Sequence, residues 1–272
     1  MKSKSLKKYL VGSCLIAGGL FSIYAQAGIK DCRRLIARLA SSEGVAPESL
    51  SRLRQLELKT AQGSLLDFRE ELPVSALRKH NQDILEALKD PVVSSVKGSV
   101  TAIGREDANY LVKLITEHPT NGKRHEKKYD PEECYGFCFG RATLIHSEAL
   151  RRKVDPEAIK KIWAVGPLEK DRWHFHVATM IKAKGRGSWW VCDPVYQKAI
   201  SAETWIGRMS RSSDDGKMMV FVTDPRRFSV YDPRVYTNID LLGDGKSDFY
   251  NGYFRDYLEH TAKQPLPKPF SP

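Results

Sequence analysis

Long apolar runs are scarce in this 272-residue chain. The single candidate, Tyr9 to Ile23, is about 15 residues long, short of the ~20 that a membrane-spanning helix needs. It follows Lys2, Lys4, Lys7 and Lys8 with no acid among them, and it leads to Ala25-Gln26-Ala27. That order is a secretory signal with cleavage after Ala27, not an anchor. Residues 1–27 are therefore read as a signal peptide, and the product as exported, periplasmic or secreted, with no stable membrane association after cleavage. Cysteine is also sparse: Cys32, Cys134, Cys138 and Cys192 remain beyond the leader. No Cys/His pair follows Cys134 and Cys138 at zinc-ligand spacing, so no metal is expected, and no cofactor. Acid is the scarcer charge. Removing the four leader lysines from the formal +11 leaves +7, but the basic residues are scattered among acids without a recognition motif. Nucleic acid is not an expected partner.

What is present is an ordinary globular composition, 41% hydrophobic and 28% charged, which excludes disordered and fibrous chains. The length allows one large or two small domains. Tryptophan is absent before Trp163, and residues 28 to about 100 read as helical pieces. Leu35, Ile36 and Leu39 share a face, Pro47-Glu48-Ser49 starts a second helix, and Pro73 to Leu88 spaces Leu77, Ile84 and Leu88 helically. Pro91 to Ser99 reads as a boundary, dividing a helical N-terminal region, 28–100, from a domain over 101–272. A helix over Glu106 to Glu117 is expected to bury Tyr110, Leu111 and Leu114. Cys138, Ala142, Ile145 and Ala149 then form one helical stripe, closed by Arg151, Arg152 and Lys153. Strands follow at Ile159–Val165, Trp173–Lys182, Trp189–Cys192 and Met218–Val222, with helices near Ala202–Met209 and Tyr250–His260. Helices first and antiparallel strands after is an α+β pattern.

The stripe puts Cys138 at the amino end of its helix. A thiol there meets unpaired N–H groups and the positive end of the helix dipole, which favour thiolate, and the same N–H groups can receive an oxyanion. Four cysteines in an oxidising compartment also suit two disulfides, so a structural half-cystine remains the alternative. A thiolate enzyme needs a base that can also protonate a leaving group. On the strand Trp173 to Ile181, alternation puts His174, His176, Ala178 and Met180 on one face and Phe175, Val177, Thr179 and Ile181 on the other. One face is expected to be core and the other a site, and spacing does not choose between His174 and His176. If Gly185-Arg186-Gly187 centres a hairpin, pairing with position numbers summing to 371 sets Asp193 opposite Ala178. His176 is then its diagonal neighbour, and Cys192 points to the core. Asp193 is thus the candidate to fix the imidazole tautomer, or else simply the start of a turn at Pro194.

Cys138-Phe139-Gly140-Arg141-Ala142, His176-Val177-Ala178 and Val191-Cys192-Asp193-Pro194, in that order and at that spacing, resemble the secreted bacterial protein-glutaminases, or protein-glutamine deamidases. The likeness covers roughly residues 130 to 210. It implies a papain-like and transglutaminase-like α+β core with the nucleophile at a helix amino terminus packed on an antiparallel sheet. It assigns Cys138 as nucleophile, His176 as base and acid, and Asp193 as orienter. The implied reaction is metal-free hydrolysis of protein-bound glutamine to glutamate and ammonia, on protein or peptide substrates with accessible Gln, by an enzyme expected to be monomeric. The resemblance also implies that residues 28–100 are an inhibitory pro-segment. A peptidase or transglutaminase uses the same three residues, and a disulfide-bonded exported binding protein is the non-enzymatic alternative. With Cys138 free and Cys192 in the core, Cys32 to Cys134 is the expected bridge. Trp163, Trp189 and Trp190 are candidates to wall a slot for a flat amide, with at least two expected in the core. Asp240 to Asn251 has a weak calcium-loop pattern that lacks the acidic third and twelfth positions, and it reads as a turn.

Overall fold

The computed structural model describes residues 72–92, 96–121, 128–129, 137–168, 173–185, 188–213, 215–227, 235 and 252–271. The two helices expected near Leu35 and Pro47, the cap at Asp130 and the loop at 240–251 lie outside these residues. Among the described residues are five α-helices and five strands. The helices are α1 (Val74–Ala87), α2 (Arg105–Thr116), α3 (Cys138–Arg151), α4 (Ala202–Arg211) and α5 (Tyr253–Ala262). The strands are β1 (Ile159–Leu168), β2 (Trp173–Lys182), β3 (Trp189–Cys192), β4 (Ile200–Ser201) and β5 (Met219–Thr223). They form one antiparallel sheet in the order β4-β3-β2-β1-β5, so the fold is α+β.

Both faces of the sheet are covered. Trp163, Val165, Val177, Ile181 and Phe221 pack with α2, α3 and α5, while Ile162, Ala164, Ala178, Met180 and Val220 pack with α4. The face of β2 that carries His176 is also packed: Ala178 and Met180 are as buried as Val177 and Ile181 on the other face. The near-continuous apolar spelling of β1 and β5 has the same cause, because a strand covered on two sides cannot alternate with polar residues. Gly166 and Pro167 interrupt the β1–β2 register between Val165 and Leu168, as proline does when it cannot donate a ladder bond.

The buried stripe of α2 is Ala108, Leu111, Val112 and Ile115. Tyr110 is half exposed and Leu114 only partly buried, which corrects the face expected for this helix. Tyr110 sits a quarter turn off the core, where its hydroxyl accepts from Arg152 at 3.4 Å and its ring lies under that guanidinium.

Helix α1 lies along β5, an edge strand of the sheet. Its Leu77 joins one core layer, and Ile84, Ala87 and Leu88 at its end join the other. An edge presents unpaired backbone groups, and α1 covers them with side chains that imitate a strand. The Asn81 amide donates to the Met218 carbonyl at 3.1 Å and accepts from the Val220 N–H at 2.8 Å, while His80 Nε2 meets the Val220 carbonyl at 2.8 Å. The carbonyl of Leu88 accepts from both Lys182 Nζ and Trp189 Nε1, tying the end of the helix to β2 and β3. Substituting Asn81→Ala strips two buried backbone groups of partners, at a cost of about 1–3 kcal/mol for each group left unpaired. Urea denaturation should show this loss, and an unchanged midpoint would mean that α1 is not docked on β5.

Candidate active site

The site begins at the first residue of α3. Phe137 precedes it and supplies no side-chain cap to the first-turn N–H groups. Cys138 is a free thiol, partly buried against the α3-side core. Beyond it the helix is buried on most of its circumference, which is why a small residue is required at position 140. A Cβ there would stand 2.9 Å from Tyr253 Cε1, so glycine lets α5 rest directly on the turn that carries the thiol. From the sheet side, the Thr179 hydroxyl donates to the Ala142 carbonyl at 2.7 Å and ties that same turn to β2.

His176 is on β2, opposite Ala164 of β1, and is 3% exposed. Thr179 pairs with Cys192 and Met180 with Val191, the register expected for the hairpin, and it carries Asp193 to the level of Ala178. His176 Nε2 lies 2.7 Å from Asp193 Oδ2. The other carboxylate oxygen accepts from the Val195 N–H at 3.1 Å, which caps the short helical turn Pro194–Tyr196. The two readings of Asp193, turn starter and imidazole partner, are both present in one side chain. Cys192 leaves the opposite face, fully buried, with its sulfur 3.8 Å from the Ala108 carbonyl. Burial and the adjacent Asp193 push its thiol well above the usual range.

Burial by itself would lower the His176 pKa, but the Asp193 carboxylate and a hydrogen bond with Cys138 outweigh it and raise it to about 10. Conversely, burial opposes ionisation of Asp193, and His176, Trp205 and the Val195 N–H hold its pKa below the ordinary value. With Nε2 committed to the carboxylate, Nδ1 is the nitrogen left to face the sulfur. Cys138, His176 and Asp193 therefore form one connected chain. The backbone of His174 is in β2, and its side chain lies outside the described residues, as do Cys32 and Cys134.

Two residues in this environment escaped the sequence reading. Trp205 of α4 donates from Nε1 to Asp193 Oδ2 at 2.8 Å and stacks on His176, with centroids 5.9 Å apart and an interplanar angle of 23°. Its signal was only a tryptophan on an amphipathic helix, whose buried N–H must find an acceptor. Lys161 was hidden in the strand Ile159 to Leu168, although a lysine in an apolar strand is a signal. It is fully buried, donates to the Arg227 carbonyl at 3.0 Å and lies 4.0 Å over the ring of Phe139, next to the thiol. Burial drives its pKa well down, against the pull of Asp224 and Cys138. Trp163 and Trp189 are core residues, while Trp190 is partly exposed beneath Arg105. Among the described residues no group of three His, Cys, Asp or Glu side chains is placed to hold a metal ion, and no helix is long and apolar enough to cross a membrane.

Comparison of the chain with protein-family models, with curated proteins and with solved structures finds no match.

Because the folded pKa of His176 is raised from 6.5 to about 10, its contribution to stability is fully present below 6.5 and is lost as pH rises through about 10. Replacing the carboxylate by an amide in Asp193→Asn removes the charge that raises it while burial remains. The imidazole pKa should fall by more than one unit, read by NMR titration, and the alkaline loss of stability should flatten. An unmoved pKa would mean that Asp193 does not bear on the imidazole.

Proposed function

We propose that the protein is a cysteine-dependent amidohydrolase that converts protein-bound glutamine to glutamate, built on a papain-like or transglutaminase-like core. The observation that carries this reading is the chain of contacts from the Cys138 thiol at the amino end of α3, through His176 on β2, to the buried Asp193. The likeness of the segments around Cys138, His176 and Asp193 to those of the protein-glutaminases adds the choice of substrate. The free thiols at Cys138 and Cys192 favour it over a binding protein with every cysteine paired.

In the proposed reaction the Cys138 sulfur attacks the side-chain amide carbon, and the first-turn N–H groups of α3 receive the negative charge that develops on oxygen. Imidazolium at His176 gives its proton to the departing nitrogen, which leaves as ammonia and generates a γ-glutamyl thioester. His176, now neutral, takes a proton from water as it attacks the thioester. The sulfur departs, the new carboxylic acid gives its proton to ammonia to become glutamate, and the starting pair of sulfur and imidazolium is restored. Asp193 stays ionised throughout and holds the ring, with Trp205 and Val195 holding Asp193.

Ammonia release from a Gln-rich protein, with mass spectrometry for Gln-to-Glu conversion, tests the reading. Cys138→Ala and His176→Ala should each lose about 10³-fold or more in kcat while remaining folded, and Asp193→Asn about 10²–10⁴-fold. His174→Ala should lose far less. Cleaved chains without ammonia would mean a peptidase, and cross-links to added amine a transglutaminase.

The N-terminal segment enters the proposal as an exported leader, residues 1–27, followed by a removable cover over the cleft. Helix α1 is bound into both core layers, Val96 donates to Asp155 Oδ2 at 3.1 Å, and Val100 pairs with Val154. We therefore place the removable part before Leu72 and not at residue 100. Limited proteolysis should leave a folded product that retains α1 and is more active than the chain beginning at residue 28. A full-length chain of equal activity would refute the covering role.

A further inference from the structure

Helix α4 has two charged roles on two sides. Inward, Trp205 serves Asp193. Outward, Arg208 and Arg211 border a cleft of about 290 Å³ that opens at His176 beside Tyr196. Arg208 is also a wall of a second cleft of about 350 Å³, which runs past Ser201 to Lys198, Trp190 and Arg105. No carboxylate lines either cleft, and among the described residues none of the four cations is ion-paired. The two outermost arginines of the second cleft are held by rings instead, Arg208 4.6 Å over Tyr196 and Arg105 5.0 Å over Trp190. Ring stacking orients a guanidinium without neutralising it.

We propose that this trough along α4 is the subsite for the polypeptide flanking the target glutamine and that it selects acidic segments. The inference rests on the site reading above and names its substrate class. From Ser201 to Ser212 the trough follows about 16 Å of helix, the span of about five residues of extended chain. One end is His176. The other includes Ile200 and Ser201 of β4, an edge strand of the sheet, and a strand edge offers backbone groups to an extended peptide rather than to a nucleic acid. Arg208 and Arg211 within that length, with Lys198 and Arg105 beyond Ser201, match two or more carboxylates near the glutamine.

The test uses short peptides with one glutamine flanked by Glu, by Ser or by Lys. At low salt the Glu peptide should exceed the Ser peptide by about tenfold in kcat/KM, the product of several exposed pairs. The ratio should fall toward one at about 0.5 M salt, where the Debye length shrinks to about 4 Å. The double substitution Arg208→Glu with Arg211→Glu should invert the order, and Lys198→Glu alone should lower the ratio, both in chains of unchanged circular dichroism. Equal kcat/KM for the three peptides would overturn the proposal while leaving the deamidase reading intact. Fluorescence anisotropy of the same labelled peptides on the Cys138→Ala chain separates the converse case. Tight, Arg208-dependent binding of the Glu peptide by the Cys138→Ala chain, with no deamidation of that peptide by the chain that retains Cys138, would keep the subsite and remove the deamidase. An oligonucleotide of equal charge that binds more tightly than the Glu peptide would overturn the peptide assignment.

Discussion

The structure depends on satisfying one buried carboxylate. Asp193 is 2% exposed and ionised, and removing such a group from water costs several kcal/mol unless donors replace the hydration shell. Its donors come from three separate elements: the Val195 N–H of the turn after β3, Trp205 Nε1 of α4, and His176 Nε2 of β2. Meeting the requirement of Asp193 therefore fixes the turn, seats α4 on the sheet and orients the imidazole in one act. A slip of one residue between β2 and β3 would move Asp193 to the face away from His176 and leave a charge without its partner. The register is thus specified twice, by the apolar layers and by the charge.

Helix α3, which carries the Cys138 thiol, is positioned by the same strand that carries the imidazole. Thr179, three residues along β2 from His176, binds the Ala142 carbonyl, so a displacement of β2 carries both groups together. From the other side Tyr253 fills the space that Gly140 leaves, and its hydroxyl donates to Asn121. The far end of α3 is held by Glu148, which accepts from Tyr257, Arg151 and Arg152. A helix clamped at its first turn and at its last has little freedom to tilt. That rigidity is what a sulfur placed beside a fixed imidazole requires.

How far the site was legible in the sequence follows from the range of the signals. The Cys138 stripe, the alternation on β2 and the hairpin centred near Arg186 are local patterns, and together they fix the Cys138, His176 and Asp193 relationship because the register follows from the turn. Trp205 was not legible, since its role depends on how α4 folds back over β2 and β3. The docking of α1 was not legible either. Pro91 to Ser99 has the composition of a boundary, yet Asn81 meets β5 nearly 140 positions away in sequence, and no local pattern encodes such a pairing. The face of α2 was misjudged, and the cover over the second face of β2 was not legible, for a related reason. Periodicity identifies an apolar stripe, but whether a second layer covers the other side is decided by elements elsewhere in the chain.

The charges of this protein divide into two kinds by the cost of leaving them unpaired. Inside, Asp193 and Glu148 have specific donors, because an unsatisfied charge there would exceed the margin of stability, and the Lys161 amine, whose pKa burial drives down, donates to the Arg227 carbonyl. Such groups determine geometry: they hold the imidazole, anchor the end of α3 and brace the ring next to the thiol. On the surface of α4, unpaired cations cost little, since water solvates them, and they leave a field that acts at a distance. Under the proposed function that field acts on which chains arrive and how they lie far more than on the barrier of the reaction. His176 belongs to both groups, buried beside Asp193 yet bordering the cleft of Arg208 and Arg211. It is the point at which the internal geometry and the external field meet. Substitutions on the outer side of α4 can therefore change that field without disturbing the contacts that Asp193 requires.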